Sequence, residues 1–340
     1  MRLFRAGVKT EASWRTYSDD LELFRKWGKF TKFSDILELD DKALQITLED
    51  YVLEMIETVH PNSVPTKWFG IQTFLEMNDV LINYKKNQKI LSFKGKDGCR
   101  AGWTTEEIQK MLEAYSSKMQ AAIIHFESGS GGKLGIFDEL MMKPLILLID
   151  EKEIIFEDWL GNQTMSLDGA CMAIVAYADE KEQYITFLPP EGTGIFFDYI
   201  KKRIIDGENM DGESPAFRQV YKQGSPIVKH ATSKQIAQIV RRRQTKAGLS
   251  DQKTKKGHRF PVACNHGFRH RFDEIIKSIP GVNPHKTEKM FAHNSRLIAM
   301  DGIYNNPNIK NLFPEYKKII PYITIGETER QKIQLEMKDR

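Results

Sequence analysis

The chain has 340 residues, 41% apolar and 28% charged, with a net charge of +4. That length suits two domains of about 100–200 residues each, and the composition is that of a globular chain with enough apolar residues for a core, which excludes disordered and collagen-like classes. The three cysteines, Cys99, Cys171 and Cys264, include no CxxC pair, so neither a disulfide framework nor a zinc site is expected, and no metal or other cofactor is implied.

The N-terminus, MRLFRAGVKT, is basic but no apolar stretch follows it, so no signal peptide is expected. Residues 15 to 90 read as helices. Leu21, Leu23, Phe24 and Trp27 have near-helical spacing, as do Leu48, Tyr51, Val52, Met55 and Ile56. Pro61 and Pro65 bracket a break, and the apolar pattern resumes from Trp68 to Ile82. The segment 85–100 reads as a basic linker carrying Lys85, Lys86, Lys89, Lys94, Lys96 and Arg100 against Asp97. Such a connector is an ordinary solvated linker when taken alone, and it also suits a segment lying along a phosphate backbone.

A capping box, Thr104 with Glu107, predicts a helix through Ile108, Met111, Leu112 and Tyr115. The Gly-Ser-Gly-Gly at 129–132 reads as a loop. The best apolar run, Leu145 to Ile149, is far short of a membrane span, so a soluble cytoplasmic protein is expected. Residues 171–188 read as a hairpin, with the polar turn ADEKEQ between CMAIVAY and YITFLP, and helix returns from Phe196 to Ile205. The most basic stretch is 241–260, with Arg241, Arg242, Arg243, Lys246, Lys253, Lys255, Lys256 and Arg259 against Asp251. A mild net charge with local concentration of this kind is the electrostatic footprint of a chain that neutralises nucleic-acid phosphates.

The segment 265–307 carries the chemistry. It holds His266-Gly-Phe-Arg269, an amphipathic helix, Ala-His-Asn at 292–294, and then Tyr304. The ordered set His-x-x-Arg, His, Tyr resembles the catalytic half of the tyrosine recombinases, closest to archaeal-type integrases. HGFRHRF is similar to their HGFRK-type box. SPAFRQVY at 214–221, WTTEEIQKML at 103–112 and EYKKIIPYITI at 315–325 resemble their flanking segments. The resemblance implies a mainly α fold with a small β-sheet. It places an all-helical core-binding domain over 1–98, gripping one side of the DNA, and a catalytic domain with a C-terminal tail helix over 99–340.

It also implies a site-specific recombinase of a mobile element, which cleaves and rejoins double-stranded DNA as a homotetramer through a 3′-phosphotyrosyl intermediate. Tyr304 would be the nucleophile. Arg269, His266 and His293 would surround the phosphate, and Lys181, in the hairpin turn, would protonate the leaving oxygen. Lys85, Lys86, Lys94, Lys96, Arg241, Arg242, Arg243, Lys255 and Lys256 would meet the DNA backbone.

The chain departs from the family at the first clamp arginine. The matching stretch, Ser130-Gly-Gly-Lys133-Leu-Gly135, carries lysine, and no arginine occurs between Arg100 and Arg203. Lysine keeps the charge and loses the two-pronged fork. By analogy with losing one oxyanion donor, that removes about 2–4 kcal/mol of transition-state stabilisation. The alternative reading is therefore a degenerate relative that binds DNA without cutting it. The interval from His293 to Tyr304 is also longer than the family commonly uses.

Overall fold

The computed structural model describes residues 1–59, 63–91, 101–115, 117–150, 152–180, 182–221, 224, 227–249, 261–291 and 308–338. They divide into two compact units, one within residues 1–91 and one within 101–338. The fold is mainly α-helical with one small antiparallel sheet.

The first unit is all helical: α1 (Arg2–Ala6), α2 (Glu11–Trp27), α3 (Phe33–Leu37), α4 (Asp41–Thr58), α5 (Val64–Glu76) and α6 (Tyr84–Leu91). Polar caps start the long helices. The Thr10 hydroxyl accepts from the Ser13 N–H, and the Asp40 carboxylate accepts from Lys42 and Ala43. The apolar stripes of α2, α4 and α5 meet around Phe24, Leu48, Val52, Trp68 and Phe74. Gly70 lets α5 approach α2, since a Cβ there would lie 3.0 Å from the Tyr17 backbone. The expected linker is corrected over its first half. Residues 84–91 are helix α6, whose Asn87 is buried against the unit and accepts from Gln45. Lys94, Lys96 and Arg100 lie outside the described residues.

The second unit is built on a buried helix. It runs α7 (Thr105–Glu113), α8 (Lys118–Ser130), a 3-10 turn (Leu134–Asp138), β1 (Leu145–Ile149), β2 (Lys152–Ile154), α9 (Phe156–Gly161), β3 (Cys171–Ala176), β4 (Tyr184–Leu188), α10 (Pro190–Ile205), α11 (Ser233–Lys246), α12 (His266–Ser278), α13 (Pro284–Met290), α14 (Ile309–Ile323) and α15 (Glu327–Lys338). The Thr104–Glu107 capping box forms at the start of α7. From Ala121 to Ser130, α8 is buried on every side, with α10 and α12 packed against it.

The sheet has the order β2-β1-β3-β4 with antiparallel pairs throughout. Both faces of β3 and β4 are covered. Met172, Ile174 and Leu188 point into the core shared with α8 and α10, while Cys171, Ala173 and Phe187 point into a second core with α12, α13 and α14. Double coverage explains why CMAIVA reads as a continuous apolar run without alternation.

Two further expectations are corrected. Gly129 and Ser130 are the last turn of α8, and only Gly131, at φ +57°, breaks the helix as a left-handed cap. A side chain at Gly129 would meet Pro189 Cδ at 2.5 Å, so the glycine serves close packing between α8 and the start of α10. α10 begins at Pro190 rather than Phe196, with proline in its first turn.

Candidate active site

The end of α8 and the start of α12 enclose a cavity of ≈ 360 Å³, lined by Glu127, Gly132, Lys133, Leu134, Asn265, His266 and Arg269. Local structure delivers each cationic side chain. Gly131 turns the chain out of α8, so Lys133 leaves on an extended segment and its backbone N–H donates to the Tyr184 hydroxyl at 3.1 Å. The Lys133 ammonium stands 5.8 Å from the Tyr184 ring centroid.

On the other side, residues 101–103 brace the start of α12. Ala101 bridges Val262, the Trp103 indole N–H donates to the Cys264 carbonyl at 2.7 Å, and the Trp103 backbone N–H donates to the Gly267 carbonyl. Gly102 is pressed on α12, where a Cβ would fall 2.3 Å from the Arg271 nitrogen. His266 and Arg269, three apart, lie on one side of α12.

Arg269 is only 8% exposed. Its Nη1 donates to the Gly131 carbonyl at 2.9 Å, its Nη2 donates to the Phe291 carbonyl, and its guanidinium lies 4.9 Å from the Phe291 ring centroid. Two carbonyls and a ring therefore set the plane of the fork. Burial lowers the pKa of Arg269, with Tyr184 acting in the opposite sense. Burial also lowers that of Lys133, and the nearby Arg269 charge adds to the shift. Arg269 is buried while Lys133 is exposed at the cavity mouth, and two like charges that disfavour each other are an arrangement that a bound anion relieves. His266 is exposed at the cavity rim, its ring 4.7 Å from that of His270.

The structure thus brings Lys133, His266 and Arg269 to one cavity. His293, Tyr304 and Lys181 lie outside the described residues, as do Lys255 and Lys256. Two other tyrosines of this unit, Tyr316 and Tyr199, are buried. The Tyr316 hydroxyl donates to the Gly129 carbonyl at 2.8 Å, and burial raises its pKa well above the usual range.

Arg243 is corrected as a DNA contact. It is 5% exposed and its guanidinium donates to the Ala114 carbonyl, tying α11 to the end of α7. Arg241 and Arg242 are exposed on α11, as are Lys85 and Lys86 on α6, although the Lys86 ammonium is 2.7 Å from the Glu49 carboxylate.

Sequence reasoning missed Glu127 and Asn265. Glu127 is 4% exposed, and its Oε1 accepts from the Asn265 side-chain amide at 2.6 Å. Burial pushes its pKa up to about 8, against the opposing hydrogen bond from Asn265. The available signal was a single acid in the apolar run AAIIHF-Glu127-SGS, where an unpaired carboxylate is costly. Among the described residues, no group of histidine, cysteine and acidic side chains could hold a metal ion. No helix among them is long and apolar enough to cross a membrane.

Comparison with protein-family models and with curated proteins gives no match. Solved structures do match. The XerH site-specific recombinase bound to difH substrate, in its pre-cleavage complex, aligns with TM-score 0.51 at 14% identity, over 88% of this chain and 77% of that one. The post-cleavage complex on palindromic difH aligns with TM-score 0.52 at 14% identity, over 83% of this chain and 73% of that one. At this identity the likeness is one of fold, and the chain shares the fold of these recombinases.

Proposed function

We propose that this protein is a tyrosine-type site-specific DNA recombinase whose cavity at the α8–α12 junction takes the scissile phosphate. The observation that carries this reading is the convergence of Lys133, His266 and Arg269 on one cavity, in a chain with the fold of a DNA-bound recombinase. Attack by the Tyr304 oxygen on the phosphorus forms a 3′-phosphotyrosyl bond and releases a 5′-hydroxyl. A phenol has a pKa near 10 and is a weak nucleophile at neutral pH. The burden therefore falls on donors aimed at the charge gathering on the non-bridging oxygens. Arg269 presents a fork to those oxygens and Lys133 a point charge. His266 and His293 add hydrogen bonds, and Lys181 protonates the leaving oxygen. The bond energy stays in the protein–DNA link, so rejoining needs no nucleotide.

Double-stranded DNA is the partner, engaged by the helical domain of residues 1–98 and the catalytic domain of 99–340, with four protomers acting together on two sites of an archaeal-type mobile element. Exposed Arg241, Arg242 and Lys85 supply phosphate contacts, so affinity falls steeply with salt. A specific observation favours a second reading: Lys133 stands where the family has arginine, and a binding-only relative would carry such a change. A nicked duplex containing the element's attachment site separates the two. The recombinase reading expects a denaturation-resistant protein–DNA band from the wild type and none from Tyr304→Phe. A band from Lys133→Arg alone identifies the binding-only relative. No band from any version, with salt-sensitive binding intact, overturns the enzymatic reading.

A further inference from the structure

We infer that Glu127 is a further anion-binding residue of this cavity, holding a proton on Oε2 and donating it in a hydrogen bond to the phosphate that Lys133 and Arg269 attract. The inference rests on the reading of the cavity as a phosphate site and assigns it a further donor. Glu127 lies in the last turns of α8 and lines the cavity. Asn265 commits its amide N–H₂ to Oε1, which makes Oε1 the carbonyl-like acceptor of the pair. Oε2 is buried and has no hydrogen-bond partner among the described residues. In a neutral carboxylic acid whose one oxygen accepts, the other is the hydroxyl donor. A buried donor without a partner is costly, and an anion in the cavity would satisfy it.

The surroundings keep the carboxyl neutral. Burial dominates, and the hydrogen bond from Asn265 opposes it only in part. Cys264, next to Asn265, is no charged partner, because burial and Glu127 together push its thiol up to about 12. From β4, the Tyr184 phenol is likewise pushed up to about 12 by burial. From α11, Arg241 acts on Cys264, and from α10, Glu191 acts on the buried His125. The cations lining the cavity are Lys133 and Arg269, with His266 at the rim. A protonated Glu127 supplies a donor at the place where lysine has lost the fork of an arginine. Once ionised, the same group becomes an acceptor-only negative charge that opposes the anion.

Sulfate tests this, since it stays a dianion across the range and needs no DNA sequence. Its affinity for the full-length protein is measured by calorimetry from pH 7 to 9.5. An ordinary histidine titrates near 6.5, below the range read. Wild type should lose affinity as pH rises through about 8, by up to about tenfold per pH unit, because the ionised carboxylate both loses the donor and repels the anion. Glu127→Gln keeps a donor and cannot ionise, so its affinity should not fall in this way. Glu127→Leu should bind about tenfold more weakly than wild type at pH 7, as loss of one charge-assisted hydrogen bond implies. Lys133→Arg, whose charge does not titrate, should retain the decline.

A wild-type affinity that is flat with pH overturns the inference. So does a Glu127→Gln protein that declines as wild type does, or a Glu127→Leu protein that binds as tightly as wild type. The arms are separable from the recombinase reading. Sulfate behaviour as described without any phosphotyrosyl band leaves the subsite and removes the enzyme. A Tyr304-dependent band with unaltered sulfate profiles does the reverse.

Discussion

Glu127 sets a pH dependence on stability as well as on binding. A carboxyl whose pKa is raised in the folded chain holds its proton more tightly there than in the unfolded one. Its contribution to stability is complete below the ordinary carboxylate value of 4.5 and is lost as pH rises through about 8. The lost stability is on the order of 5 kcal/mol by pH 9, since the rise from 4.5 to about 8 is worth about 1.4 kcal/mol per pH unit. Glu127→Gln is neutral throughout and should therefore melt above wild type at pH 9, with the difference closing near pH 5. Thermal melts of both proteins at the two pH values check this, and equal melting temperatures at pH 9 would contradict it. Lys133 and Arg269 show the complementary effect, since burial of each cation lowers its pKa. His266 and Arg269 were singled out by the resemblance of the ordered His-x-x-Arg, His, Tyr set to the recombinase pattern, and both line the cavity. Glu127 was harder to find because it has no sequence partner at motif distance. Its partner Asn265 lies far along the chain and is brought in by the packing of α12 on α8.

At the scale of elements, the junction of α8 with Lys133 depends on one backbone conformation. Gly131 sits at φ +57°, and a Cβ there would meet Phe272 Cδ1 at 2.5 Å, while its carbonyl holds Arg269. Gly131→Ala combines left-handed strain with that overlap, and should lower stability by about 2–3 kcal/mol. Gly161→Ala is the control, since nothing lies within 4 Å of a Cβ at that position, and it should be nearly neutral. Urea unfolding of the three proteins measures the difference, and equal midpoints for the two variants would contradict it.

The α7 cap and the β3–β4 hairpin were readable because a capping box and a polar turn are local signals. The true end of α8 was not, because Gly129 and Ser130 imitate a loop in composition. They are kept helical by tertiary packing, with Thr186 donating to the Ser130 carbonyl and Tyr316 to the Gly129 carbonyl. For the same reason the triplet Arg241–Arg243 read as one charged run, whereas helical rotation turns Arg243 inward to the Ala114 carbonyl.

Across the whole molecule, the proposed function draws on two features. One is the distribution of charge, mild in total at +4 yet concentrated near α11 and in the segment after it. The other is the convergence of residues 127–134 with residues 265–269 around one cavity, brought about by the packing of α8 on α12. The four-stranded sheet was only half legible, as its β3–β4 hairpin. β1 and β2 join it through pairings such as Leu147 with Met172 and Leu147 with Ile154, and those partners are set by the fold.

The most direct test of the cavity as the phosphate site is the rate of covalent attachment to a nicked attachment-site duplex by wild type and Lys133→Ala. Duplex affinity is measured in parallel at two salt concentrations. Lys133→Ala should attach about 10²–10³-fold more slowly, as expected for loss of one transition-state donor. Its affinity and salt slope should change far less, since one cation among many phosphate contacts is removed. A Lys133→Ala protein that attaches DNA at the wild-type rate would contradict the assignment of this cavity to the scissile phosphate.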